Sequence, residues 1–83
     1  MRASVQFKFG MRVRQLRLAA GLTQEDLAHR CGLFRTYMSR IETGRANPTL
    51  TMVDALATSL KVPIASLFEA DTLPAKAAKQ DPG

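Results

Sequence analysis

The sequence predicts an all-α fold of five short helices joined by tight turns. Apolar residues recur three and four positions apart, the spacing that lines one face of a helix. Glycine or proline punctuates the chain at Gly21, Gly32, Gly44, Pro48 and Pro63, where helices of that length should stop or start. No segment alternates apolar and polar residues through a β-branched run, so no sheet is expected.

The first helix is read from Phe9, Val13 and Leu16, with Arg12, Arg14 and Arg17 between them. It should be amphipathic and end before Gly21, a natural left-handed stop. Thr23 is placed to cap a second helix, with Asp26 three residues on as the reciprocal partner of a capping box. That helix should bury Leu27, Ala28 and Cys31 and close at Gly32. The third starts near Phe34 or Arg35, turns Met38 and Ile41 inward with Tyr37 at the boundary, and stops at Gly44. Thr49 caps a fourth, whose Leu50, Val53, Leu56, Ala57 and Leu60 form one stripe. Val62 and Pro63 break it, and Pro63 suits the first turn of a short fifth helix through Leu67 and Phe68. One domain over 9–70 is therefore expected, behind an N-terminal extension (1–8) and ahead of a flexible tail (71–83) with little to bury.

With 83 residues, 46% of them apolar, the chain has room for one core, and about two thirds of its unfolded surface can be buried. The net charge of +5 is unevenly placed. Nine Lys and Arg stand against three Asp and Glu from Arg2 to Arg45, and three against four thereafter. An anionic partner would dock on the first half. Cys31 is the single cysteine and His29 the single histidine, so neither an internal disulfide nor a metal site is expected. His29 should be a solvated polar residue and Cys31 a small hydrophobe at a core position. The first fifteen residues are dotted with Arg and do not read as a secretory signal. No stretch approaches the roughly 20 apolar residues of a membrane span. A cytoplasmic protein fits these features. With no Ser-His-Asp set, glycine-rich phosphate loop or acidic cluster, an enzyme is not indicated, and neither is a cofactor or small-molecule ligand.

The informative stretch is 23–44. Two short helices separated by a few residues around Gly32 must cross steeply. Such a crossing needs a small side chain where the helices touch (Ala28), a sterically free turn residue (Gly32) and apolar support from behind (Met38, Ile41). Opposite that support fall Arg35, Thr36, Ser39, Arg40 and Thr43, all polar. A polar stripe alone would be a solvated helix face. This one carries two Arg and no acid, and a helix of this kind fits the major groove, where Arg can donate twice to one guanine.

The motifs GLTQEDLA at 21–28, GL at 32–33, RTYMSRIETGR at 35–45, NPTL at 47–50 and LF at 67–68 resemble the Cro/C1-type (XRE-type) helix-turn-helix family. The Arg-Thr-Tyr-Met-Ser stretch is further similar to controller proteins of restriction-modification systems. The resemblance implies a five-helix, lambda-repressor-like fold, its helix-turn-helix formed by helices 2 and 3, in a sequence-specific regulator that binds double-stranded DNA. It implies that Arg35, Thr36, Ser39 and Arg40 read bases, and that Gln24, Thr43, Arg45 and Asn47 contact phosphates, Gln24 also bracing the third helix. It further implies a structural ion pair between Arg17 and Glu42. Many members of the family carry a capping Ser, Asp or Thr where this chain has Phe34; packing on the first helices is its expected role, a thymine methyl the alternative partner. So small a domain makes few contacts to DNA, and a homodimer on a palindromic operator is expected, with Ile64, Leu67 and Phe68 as candidate interface residues. The rival expectation is a protein-interaction module, such as an antitoxin that binds a partner protein.

Overall fold

Four α-helices and a closing 3-10 helix make up the computed structural model, which describes residues 4–69. The helices are α1 (Val5–Ala19), α2 (Gln24–Cys31), α3 (Arg35–Glu42) and α4 (Leu50–Leu60), followed by the 3-10 helix Ile64–Phe68. No strand occurs among the described residues. The tail expected over 71–83, and the first three residues of the expected N-terminal extension, lie outside them.

Local capping chemistry sets where the helices begin. Ser4, Thr23 and Thr49 each accept a hydrogen bond from the backbone N–H three residues on, satisfying one of the amides a helix start leaves open. At α2 the capping box is complete: Thr23 Oγ1 accepts from Asp26 N (3.0 Å) and Asp26 Oδ2 from Thr23 N (3.0 Å). These bonds favour the charged carboxylate, and Asp26 is held below its ordinary value of 3.8.

One device ends all four α-helices. A residue at positive φ follows the last turn (Gly21, Gly32, Gly44 and Lys61), and the next N–H reaches back five residues, as Leu33 N does to Ala28 O at 2.8 Å. Lys61, at φ 60°, takes this left-handed conformation without glycine's freedom and so holds local strain. The residue after the turn is apolar and packs on the core in three cases, Leu22, Leu33 and Val62. After α3 it is the exposed Arg45.

The core gathers Phe9 and Val13 of α1, Leu27 and Ala28 of α2, Met38 and Ile41 of α3, the α4 stripe and Leu67. Helix α1 packs against α3, α4 and the 3-10 helix, and α2 against α3 and α4. The approach of α1 to α3 is closest at Gly10, where an added Cβ would stand 2.2 Å from Ile41 O and 2.9 Å from Glu42 O. The stop of α3 rests on α1 as well: a Cβ on Gly44 would meet Phe7 Cα at 2.8 Å.

Several expectations are corrected. The first helix begins at Val5, one turn ahead of where its apolar spacing starts, because Ser4 caps it there. It is not cleanly amphipathic, since Arg17 is buried while Val5, Phe7, Met11 and Leu18 are exposed. Leu50 drops out of the α4 stripe: it is the first residue of the helix and no neighbouring element covers it. The fifth element is a 3-10 helix, with Ser66 N bonded to Pro63 O at 2.9 Å. Five residues that bury only Leu67 give little on which to propagate an α-helix. Its attachment is lateral. Arg12 Nε donates to Ser66 O at 2.7 Å, Arg12 Nη2 pairs with Glu69 at 3.2 Å, and the Phe9 and Phe68 rings lie 5.2 Å apart.

Gly10→Ala should destabilise the fold by about 1–3 kcal/mol, since neither backbone can yield easily, and a lowered urea midpoint would register it. Because the Asp26 carboxyl is depressed in the folded state, its stabilisation is complete above the ordinary carboxylate range and fades as pH falls through the lower folded value. Asp26→Asn should remove that component of acid sensitivity, seen as a shallower slope of stability against pH below 3.8.

Candidate nucleic-acid interface

Helix α3 is fastened from behind by two apolar side chains and one charged pair. Met38 and Ile41 are buried in the core. Glu42, only 4% exposed, accepts from Arg17 Nε at 2.6 Å and from Arg17 Nη2 at 3.0 Å, a two-pronged bond that fixes geometry as well as charge. Arg17 Nη1 donates to Leu22 O at 2.8 Å, and Gln24 Nε2 donates to Glu42 Oε1 at 3.0 Å. The network ties α1, the turn before α2, and the start of α2 to the end of α3. Its carboxylate is the sole acid on α3, so its burial beside Arg17 takes negative charge off the helix surface.

The opposite side of α3 faces solvent. Arg35, Thr36 and Arg40 are exposed and Ser39 is half-buried. From the end of the helix the chain runs on through Thr43, Arg45 and Asn47, all exposed, while Ala46 turns inward and anchors the loop. Loop and helix are locked together. Arg45 N donates to Arg40 O at 2.8 Å, and Arg40 Nη2 donates to Arg45 O at 3.0 Å. A guanidinium carries five N–H donors, so this contact aims Arg40 without exhausting it. The Thr43 hydroxyl is already engaged, donating back to Ser39 O at 2.8 Å.

Seven of the eight residues expected at bases or phosphates thus sit on the face of α3 or in the loop after it, and Gln24 adjoins them as a half-buried brace on Glu42. The candidate interface residues lie elsewhere, on the 3-10 helix, and they divide. Ile64 and Phe68 are exposed, whereas Leu67 is wholly buried in its own chain's core and is not available to a partner.

Phe34 is a further correction. Expected to pack on the first helices, it is 84% exposed and makes no side-chain capping bond, although it occupies the N-cap of α3. Gly10 was missed altogether. The sequence held a hint, a glycine inside a helix between two core positions, but its reason is visible only once α3 is laid across it. Among the described residues no group of three or more His, Cys, Asp or Glu is placed to hold a metal ion, and no helix is long and apolar enough to cross a membrane.

Comparison with known proteins places this geometry. A family model described as a helix-turn-helix domain matches residues 8–69. The control protein C.BamHI of Bacillus amyloliquefaciens is 36% identical over 74 residues, 88% of this chain and 91% of that one. The immunity repressor protein of Bacillus phage phi105 is 34% identical over 64 residues, 77% of this chain but 44% of the repressor. Among solved structures, the restriction-modification controller protein C.AhdI from Aeromonas hydrophila superposes with a TM-score of 0.74 at 44% identity, covering 76% of this chain and 96% of that one.

Breaking the charged network from one side should be costly. Glu42→Ala leaves Arg17 buried without a counter-charge and should lower stability by about 3–5 kcal/mol, read from chemical denaturation. Removing both charges together, in Arg17→Met with Glu42→Leu, should recover most of that loss.

Proposed function

Given that the chain belongs to the helix-turn-helix family, of the Cro/C1 type its motifs resemble, we propose that it is a transcriptional regulator that binds double-stranded DNA sequence-specifically. In this reading α2 and α3 form the helix-turn-helix, and α3 enters the major groove. The observation that carries it is the division of α3 itself: Met38, Ile41 and Glu42 are buried, and Arg35, Thr36 and Arg40 stand in solvent with no acid among them.

Binding proceeds in two physical stages. Basic side chains first draw in the duplex and displace its counterions, which gives affinity without sequence information. Arg35, Thr36, Ser39 and Arg40 then meet base edges, Arg offering paired donors to guanine and the hydroxyls either donating or accepting. Arg45 and Asn47 contact the backbone alongside, with Thr43 joining them if its hydroxyl turns outward, and Gln24 reaches a phosphate from the start of α2. A polar, cationic face suits phosphate and base edges better than it suits the apolar docking surface of a protein-interaction module.

One domain of this size offers few base contacts, so the regulator acts as a homodimer on a palindromic site, its two α3 helices about 34 Å apart, one turn of DNA. Ile64 and Phe68 are the proposed contact residues, being apolar and exposed at the two ends of the 3-10 helix. The cytoplasm, where DNA and a reduced Cys31 coexist, is the proposed compartment.

Selection of bound sequences from a random duplex pool should return an inverted repeat, which reports half-site and spacing together. On that operator Arg40→Ala should cost roughly 1–3 kcal/mol and relax preference at one base position. Arg45→Ala should weaken all sequences about equally and lower the salt slope by about 1. Unchanged binding of the Arg40 variant to the selected operator would refute the assigned reading face.

A further inference from the structure

Helix α3 departs from the other three α-helices at both ends. Ser4, Thr23 and Thr49 begin their helices with hydroxyl caps, whereas Phe34 begins α3 with none. Leu22, Leu33 and Val62 follow the other helix stops and pack on the core, whereas Arg45 follows α3 and is exposed. Arg45 already has a place in the proposed interface; Phe34 does not. Its ring gains nothing from the fold, for it is 84% exposed and leaves a helix amide without the cap the other helices have. It also directly precedes Arg35 and Thr36, two exposed residues assigned to base edges. An uncapped helix start that carries an exposed ring directly before the reading residues marks a surface shaped for a ligand instead of for folding.

We propose that Phe34 is a specificity-determining residue that packs its ring on the C5-methyl of a thymine in the major groove, next to the bases met by Arg35 and Thr36; this rests on the DNA-binding reading above. The methyl is the apolar feature that the major groove presents, and Phe is among the side chains that contact it. Desolvating an exposed aromatic against that methyl turns a surface liability of the free protein into discrimination for thymine over cytosine and over uracil.

The test uses the full chain and the duplex recovered by selection. Each thymine of a half-site is replaced in turn by deoxyuridine, which deletes one methyl and leaves every hydrogen-bonding group. Wild-type protein should lose affinity roughly fourfold at one position per half-site, the effect of one buried methyl. Phe34→Ser restores a capping hydroxyl, so it should melt no lower than wild type, and it should show no loss at that position. Phe34→Leu, still apolar, should keep part of the sensitivity. Equal loss in wild type and Phe34→Ser, loss at no position, or a half-site without thymine would overturn the inference while leaving DNA binding intact. A change in sedimentation on Phe34→Ser with unaltered methyl sensitivity would overturn it too, by placing the ring in a protein contact. Failure of the wild-type chain to enrich any duplex would remove the DNA-binding reading and this inference with it.

Discussion

The Arg17–Glu42 pair is the constraint on which the remainder of the molecule depends. Two buried charges lose their hydration, and their attraction offsets that loss only when the geometry is good and the leftover hydrogen-bonding capacity is used. Both conditions are met here. The two Arg17–Glu42 bonds are 2.6 and 3.0 Å, Leu22 O takes a third guanidinium proton, and Gln24 takes a carboxylate lone pair. An apolar pair of similar volume could hold the helices with equal strength, but it would not fix the angle and register of α3 as a two-pronged bond does.

The same pair shapes the electrostatics outside. An acid at the end of α3 would oppose any polyanion approaching Arg40 and Arg45. Turned inward against a cation of its own, Glu42 contributes almost nothing to the field in front of the helix. Fold and surface charge are thus settled by one contact. The loop after α3 inherits the order, since Arg40 and Arg45 exchange backbone and side-chain hydrogen bonds across it.

Helix limits were legible in the sequence because capping is local chemistry: a hydroxyl, an acid three residues later, a glycine at the stop. Thr23 with Asp26, Gly32, Gly44 and Thr49 could be assigned without knowing what lay across from them. Pairings distant in sequence were not legible from pattern alone. Arg12 looked like any polar residue of a surface helix, yet its partners Ser66 and Glu69 lie more than fifty positions on. Arg17 and Glu42 came from family resemblance and not from spacing. Burial was misjudged where a position lies at the margin of its element, as with Leu50 and Phe34, because periodicity describes a helix face and is silent on whether a neighbour reaches its end. Leu67 departs in the opposite direction: a candidate for contact with a partner by sequence, it is folded by the 3-10 helix into its own core.

At Gly10 the main chains of α1 and α3 touch with no side chain between them. Side chains at a joint can hop among rotamers, and each adds some slack. Main chain against main chain has none. In the proposed DNA complex α3 would therefore arrive already in position, so that little ordering entropy would be lost on association. Under the same proposal a wrong sequence would meet an unyielding shape, and any misfit beyond the base contacts would have to be absorbed by the duplex and not by the protein.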